Sequence, residues 1–507
     1  MTLVNSIISS YIGPRLKQIA WYERNAVEIQ HRQFSDLVSA ARDTEFGREH
    51  GFGDIRDIPG FRNRVPVRNY ENLYPYIERL LRGEVNVLWP SGVNWFAKSS
   101  GTTNDRSKFI PVTTEALRDC HFRGGRDLLY IYLQQNPATR IFSGRGLTIG
   151  GSRQVNKLNN SSESYHGDLS AILIYNLPFW SQWLKTPPRD VALMHEWEKK
   201  IEVMASITAR KNVTCIFGVP TWTVVLIQKI LSNTGAKNIL EVWPNLEVFF
   251  HGAVSFIPYE PLFRELIPGN QMHYIETYNA SEGFFGMQDR ENTRDLLLML
   301  DYGIYYEFIP AEFADSDNPP ATDISGVEIG VNYAMVISTN AGLWRYKIGD
   351  TIKFTSKNPY RIRITGRTKH FINAFGEELI VENAEQGISE ACRRTGAIIG
   401  DYTAAPRYIG QEQKGGHEWI IEFKKSPDDL DKFIDVLDET MRRLNSDYDA
   451  KRYKDIALAR PLIHPVSEGT FYSWMKKRNK LGGQHKVPRL VNSREYVDDI
   501  LRMLVES

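Results

Sequence analysis

The sequence predicts an α/β protein: a large N-terminal body with covered parallel strands and an antiparallel subdomain, then a small α+β C-terminal domain. Three observations predict it. Short apolar runs alternate with helical stretches between Val213 and Tyr278, and such alternation needs crossover connections that bury both faces of a parallel sheet. Between residues 296 and 365 the helical stretches vanish and short alternating runs replace them, the pattern of antiparallel pairing. After Gly366-Arg367-Thr368-Lys369-His370 the pattern changes again, to helix, two strands, helix and strand, so the expected domains are 1–366 and 367–507.

In chain order, Met1 to Ile8 reads as an amphipathic helix with no early basic residues, long apolar block or small-residue cleavage site, which predicts no secretory leader. Residues up to about 80 read as helices carrying Trp21, Tyr22 and Phe34, broken at Pro59 and Pro66, with the aromatic stripe packed on the body. Thr113-Thr114-Glu115-Ala116 is a helix start with a capping hydroxyl, and Ile141 to Thr148 is strand-like. The parallel unit follows as strand Val213 to Gly218, helix Thr221 to Leu231, strand Leu246 to Gly252, helix Tyr259 to Leu266 and strand Met272 to Tyr278. The antiparallel runs are Leu296 to Leu300, Ile304 to Ile309, Tyr333 to Ser338, Leu343 to Tyr346 and Arg361 to Thr365. The C-terminal domain reads as helix Glu382 to Arg394, strands Ala397 to Thr403 and Glu418 to Phe423, helix Asp428 to Leu444 and strand Ile456 to Ile463.

Composition narrows the partners. Among 507 residues, 62 basic against 61 acidic side chains leave a formal charge of +1, so the balance predicts neither nucleic acid nor an anionic membrane as a bulk partner. The longest uncharged apolar run, Ala171 to Leu184, is interrupted by Asn176 and Pro178 and falls short of the ~20 residues of a membrane helix. Cys120, Cys215 and Cys392 are far apart and lack metal-ligand spacing, which predicts reduced thiols and a cytoplasmic setting.

Any anion is then bound locally, and one stretch is suited to it. Ser99-Ser100-Gly101-Thr102-Thr103 offers hydroxyls and a backbone able to bend around a phosphate, with Lys108 just beyond as a cation. A Walker loop's second glycine and Gly-Lys-Ser/Thr ending are missing, so no P-loop is expected. The strand ends carry further candidates, because ligands of open α/β sheets gather there. Tyr278 offers a ring to a purine, Ser281 a hydroxyl, and Glu282, alone among small residues on a loop from Asn279 to Gly286, a carboxylate suited to Mg²⁺ beside substrate phosphates. Asp350 follows a glycine at a strand end and is placed to accept ribose hydroxyls. Arg367 lies in the hinge, and Lys486 in a late basic loop with paired glycines, where a mobile ammonium can meet an α-phosphate or acyl oxygen.

Taken together, the Ser99 to Thr103 stretch, Tyr278 with Ser281-Glu282-Gly283, Tyr346-Lys347-Ile348-Gly349-Asp350 and Gln484-His485-Lys486-Val487-Pro488-Arg489 resemble, in order, the motifs of the Gretchen Hagen acyl acid amido synthetases. That family belongs to the firefly-luciferase-like adenylate-forming superfamily. The resemblance implies a large domain that binds ATP and acyl substrate and a small one that rotates between half-reactions. It implies that Ser99, Ser100, Gly101, Thr102 and Thr103 hold phosphates, with Lys108, Ser281 and Arg367 also on the nucleotide. Tyr278 would take the adenine, Asp350 the ribose and Glu282 the metal, with Lys486 and Glu282 catalytic. The implied cofactors are ATP and Mg²⁺, and the implied partners a carboxylic acid and an amine acceptor, an amino acid. An acyl-CoA ligase of the same superfamily and a non-catalytic nucleotide-binding relative are the alternatives. Phe122, Tyr175, Trp180 and Trp222 are candidates for the acyl pocket.

Overall fold

The computed structural model describes residues 13–99, 108–150, 156–157, 164–178, 181, 183–194, 196–254, 256, 259–291, 293–314, 316, 318–367, 371–410, 414–455, 457–478 and 487–506. The predicted helix at Met1 to Ile8 lies outside them. The helix Tyr22–Ala40 buries Tyr22, Ala26, Gln30, Phe34, Leu37 and Val38, one stripe at three- and four-residue spacing. Gln30, 1% exposed, fastens it: its Nε2 donates to the carbonyls of Leu300 and Ile304, and its Oε1 accepts from the Tyr306 amide. Pro59 does not break a helix but opens one, Ile58–Arg64, where a first-turn proline needs no amide partner and Asp57 caps the Gly60 amide. Thr113 caps as expected, its Oγ1 accepting from the Ala116 amide at 3.0 Å.

The first strands are β1 (Trp95–Ser99), β2 (Lys108–Val112), β3 (Arg145–Thr148), β4 (Asn156–Lys157), β5 (Tyr165–Gly167) and β6 (Lys185–Thr186). The parallel unit continues with β7 (Val213–Gly218), β8 (Val248–Gly252) and β9 (His273–Ala280). Then come β10 (Gly283–Gln288), β11 (Leu296–Leu298), β12 (Ile304–Pro310), β13 (Asn332–Thr339), β14 (Tyr346–Lys357) and β15 (Tyr360–Arg367). Among the described residues β2-β1-β5-β4 form one small sheet, while β12-β13-β14-β15-β11-β10-β9-β8-β7-β3-β6 form a single eleven-stranded sheet. The right half, β9 to β6 in that order, is parallel, as the alternating runs predicted. The antiparallel strands are not a separate subdomain; they continue the same sheet, because β10 folds back on β9 and carries the hydrogen-bonding edge onward.

Several boundaries differ for local reasons. Ile141–Ser143 is a 3₁₀ turn before β3 rather than strand. Leu343 to Arg345 lie outside any strand, with Arg345 at φ +43°, and β14 begins only at Tyr346. The expected loop Asn279 to Gly286 is instead a tight hairpin in which Ala280 pairs with Gly283 and only Ser281 and Glu282 form the turn. The C-terminal part holds the helices Val381–Thr395 and Leu430–Leu444 beside β16 (Phe371–Ile372), β17 (Leu379–Ile380), β18 (Ile398–Arg407), β19 (Gly416–Lys425) and β20 (Leu462–Val466). β20 starts later than the predicted Ile456, which lies outside the described residues; Pro461, lacking an amide, precedes the observed start.

Two apolar clusters sandwich the large sheet. On one face, Cys215, Val248, Phe250 and Ile275 pack with Leu128, Ile131 and Tyr132 of the helix Phe122–Gln135. On the other, Leu147, Ile216 and Phe249 pack with Val224, Ile227 and Ile230 of the helix Pro220–Thr234, and this cluster runs on into Ile372, Phe375, Leu379 and Trp419 of the C-terminal part. No described helix is long and apolar enough to cross a membrane.

Candidate active site

The carboxyl ends of the parallel strands open into a cleft of about 1670 Å³ between the large sheet and the C-terminal part. Ser99 and Lys108 are an antiparallel pair at the ends of β1 and β2, so the hydroxyl stretch is flanked by a hairpin rather than by the strand and helix of a P-loop. The Lys108 ammonium stands 5.8 Å over the Tyr70 ring, whose hydroxyl accepts from the Phe109 amide at 2.8 Å. Ser99, Lys108, Tyr278, Ser281, Glu282 and Asp350 all line this one cleft. Ser100, Gly101, Thr102, Thr103 and Lys486 lie outside the described residues, as does the side chain of Arg367.

The strands place the acidic residues. β9 runs to the cleft and turns back at Ser281-Glu282, which presents Glu282 on a two-residue bend rather than a long loop. Asp350 stands within β14 rather than at a strand end, and the ladder pairs it with Arg367. Gly349 beside it takes φ +94°, a conformation open to glycine, where the register of β14 is irregular. Tyr278 is 5% exposed and packs its ring on Phe285 at 4.9 Å. Its hydroxyl donates to Asp350 Oδ2 at 2.7 Å, tying β9 to β14 across the site. At the neighbouring strand end Gly252 is required for close approach, since a Cβ there would lie 2.5 Å from the Thr277 carbonyl.

Sequence reasoning placed His251 at a strand end without giving it a role, and missed His121, Glu276 and the C-terminal residues. His251, 3% exposed and stacked on Phe256 at 4.2 Å, is held by burial down to about 3, and its Nδ1 has no partner among the described residues. Burial likewise holds His121, on the π-turn Ala116–His121, down to about 4, so both rings stay neutral at physiological pH. Glu276 is pushed up to about 7 by burial, against the pull of Arg294 and Arg363. From the C-terminal part, Asn373, Phe375, Gly376, Lys451 and Asn492 reach the opposite bank, and no local pattern marks them. Of the acyl-pocket candidates, Phe122 and Trp222 line the cleft and Trp180 lies outside the described residues. Tyr175 faces outward, 42% exposed under the Arg189 guanidinium, because the helix Leu169–Tyr175 turns Ala171, Ile172 and Ile174 inward.

No group of three or more metal-ligating side chains occurs among the described residues. Glu282, one of the carboxylates that line the cleft, nevertheless fits Mg²⁺, which retains waters and shares substrate phosphates instead of requiring an all-protein cage. Asp350, oriented by Tyr278, fits a pair of ribose hydroxyls, since a carboxylate is acceptor-only with two oxygens.

Comparison with known proteins follows the same outline. The models of the GH3 family N-terminal, central and C-terminal domains match residues 15–272, 297–367 and 382–495. The chain is 22% identical to the indole-3-acetic acid-amido synthetase GH3.3 of Arabidopsis thaliana, covering 94% of this chain and 91% of that one. It is 25% identical to GH3.8 of Oryza sativa subsp. indica, over 94% and 90% of the two chains. It is also 22% identical to the 4-substituted benzoates-glutamate ligase GH3.12 of Arabidopsis thaliana, over 94% and 95%. Among solved structures, GH3.15 acyl acid amido synthetase superposes with TM-score 0.60 at 18% identity, covering 96% of this chain and 95% of that one. A 2-hydroxyisobutyryl-CoA ligase with 2-HIB-AMP and CoA gives 0.55 at 13% identity, over 98% and 93%. These two show a shared fold.

Proposed function

This chain belongs to the GH3 family, and we propose that it is an ATP-dependent acyl acid amido synthetase: it adenylates a carboxylic acid, releasing pyrophosphate, and passes the acyl group to an amino acid, releasing AMP. One observation carries the reading. Segments as distant in sequence as Ser99, Glu282 and Asp350 line a single cleft, and the relatives across nearly the full chain are amido synthetases and a benzoate-glutamate ligase.

The chemistry needs alignment more than covalent help. A substrate carboxylate attacks the α-phosphorus of ATP, and the barrier falls when the reactants are held in line and the spreading negative charge is met. Asp350, steadied by the Tyr278 hydroxyl, holds the ribose. The Ser99 to Thr103 stretch takes the phosphates, with Lys108 and Arg367 supplying positive charge. Ser281 adds a hydroxyl beside Glu282. Glu282 is the residue to hold Mg²⁺, which when bound neutralises phosphate charge. Lys486, carried by the C-terminal domain, is the catalytic lysine. Phe122 and Trp222 form apolar wall on the acyl side and exclude water from a hydrolysable acyl-adenylate. Domains 1–366 and 367–507, turning between half-reactions, account for a cleft with one bank on each. Three cysteines without a disulfide among the described residues support a cytoplasmic setting.

A pyrophosphate-release screen over carboxylic acids, run with no acceptor, with mixed amino acids and with coenzyme A, tests the reading. The expected result is acid-dependent release that rises with amino acids and yields an amide. Turnover that needs coenzyme A instead would make the chain an acyl-CoA ligase, and nucleotide binding without release from any acid would make it a non-catalytic relative.

A further inference from the structure

The cleft contains a cation that the nucleotide reading leaves unused. β6 is the edge of the large sheet, and its Lys185 stands in one register row with Gly146 of β3, Cys215 of β7 and Val248 of β8. Residues in register on parallel strands share a face, so Lys185 and Cys215 lie on the same side of the sheet with a glycine between them. Gly146 keeps that gap open: a Cβ there would approach Cys215 Sγ at 3.2 Å and Phe217 Cε2 at 3.4 Å. The next row toward the strand ends, Thr148, Phe217 and Phe250, roofs the same chamber, with the two phenyl rings stacked at 4.8 Å. All of these except Val248 line the cleft.

Three side chains in these two rows carry a polar atom, Cys215, Lys185 and Thr148. Cys215 is neutral there, its thiol pushed up to about 12 by burial. Lys185 has no carboxylate partner among the described residues, and burial holds its ammonium below the usual lysine range. Thr148 Oγ1 is buried without a hydrogen-bond partner among them. A cation and a hydroxyl set into an apolar wall are costly unless a ligand supplies the missing acceptor.

We propose that the acyl substrate carries a second anionic group remote from the reacting carboxylate, as a dicarboxylic acid does, and that Lys185 pairs with it while the Thr148 hydroxyl donates a hydrogen bond. This inference rests on the adenylating reading above. The Lys185 row lies three residues below the end of β7 at Gly218, so the two acid groups are separated by roughly 10 Å at about 3.3 Å per residue.

The test is acid-dependent ATP/pyrophosphate exchange with the hexanedioic to decanedioic acids, each against the monoacid of the same length, in the parent enzyme and in Lys185→Met, Lys185→Gln, Lys185→Arg and Thr148→Val. The expected result is a parent preference for diacids of about tenfold or more in kcat/KM. That preference should be lost in both Met and Gln variants, largely kept in Arg and weakened in Thr148→Val, with monoacid turnover unchanged or improved. A parent that prefers monoacids, or an unchanged diacid-to-monoacid ratio in Lys185→Gln, overturns the inference and leaves the adenylating reading intact; Lys185 is then an edge lysine that discourages strand pairing. No exchange with any acid overturns the adenylating reading, and this inference with it.

Discussion

Tyr278 reaches Asp350 across 72 residues of sequence to donate a hydrogen bond of 2.7 Å. Tyr278→Phe keeps the ring against Phe285 and removes only that bond, so the fold is expected to survive. A hydrogen bond to a charged group is worth about 1.5–3 kcal/mol, or roughly 10- to 100-fold, and the KM for ATP in pyrophosphate exchange is expected to rise toward that range. Glu282→Ala is expected to keep the melting temperature and lose exchange; full exchange in that variant removes Glu282 from the mechanism. Glu276 supplies a pH signature. Its folded value near 7 stands above the ordinary 4.5, so between those values the folded chain holds a proton that the unfolded chain has lost, and stability from this group falls as pH rises through the window. Glu276→Gln is therefore expected to gain on the parent in urea melts at pH 8 and little at pH 4.5, with at most about 1.4 kcal/mol per pH unit between. The buried histidines act oppositely: His251 near 3 and His121 near 4, against 6.5, lose stability for the fold as acid is added. At this scale the position of Glu282 and Asp350 on the cleft was legible because each stands by glycine in a short polar break between apolar runs. The Tyr278 bond was not, because only the folded chain brings the Tyr278 hydroxyl within reach of Asp350 from a strand that is not β14's neighbour in the sheet.

Elements were legible where a local period dominates. β7, β8 and β9 are apolar runs separated by helical stretches, so both their existence and their parallel order could be read. β1 and β2 could not: each has five residues, and Lys98 and Pro111 interrupt their apolar character. β6 has two residues, too few for any period, and the cation of the acyl chamber was hidden with it. Packing between elements gives a sharper test than their boundaries. The helix Phe122–Gln135 lies against the β9–β10 hairpin through Gly124, where a Cβ would stand 2.5 Å from Phe284 Cγ, while Gly125 next to it has nothing within 4 Å. Gly124→Val is expected to lose about 1–3 kcal/mol in urea unfolding because the Phe284 ring is buried and has nowhere to retreat. Gly125→Ala is expected to gain about 0.5–1 kcal/mol from helix propensity. Equal behaviour of the two variants would show that the helix does not dock there.

Across the whole molecule, the site exists only because two parts of the chain face each other. The Tyr259 hydroxyl donates to the Ala374 carbonyl at 2.6 Å, the Lys451 ammonium stands 5.8 Å from the Trp222 ring, and Lys454 pairs with Glu198 at 2.5 Å. The last is exposed and contributes little, while the apolar cluster that runs from Phe249 and Tyr259 into Ile372 and Phe375 joins the same two parts. Cysteines placed at positions 198 and 454, in a background with Cys392→Ser to remove the half-buried thiol, can be joined by a short bis-maleimide. Cys120 and Cys215 are buried and should not compete. If the C-terminal part turns between half-reactions, the joined enzyme is expected to keep one of them and lose the other by tenfold or more. Pyrophosphate exchange reads the first half-reaction, and amide formation from pre-formed acyl-adenylate reads the second. Equal retention of both in the joined protein would mean that this single arrangement performs the entire reaction, and that the cleft needs no moving bank.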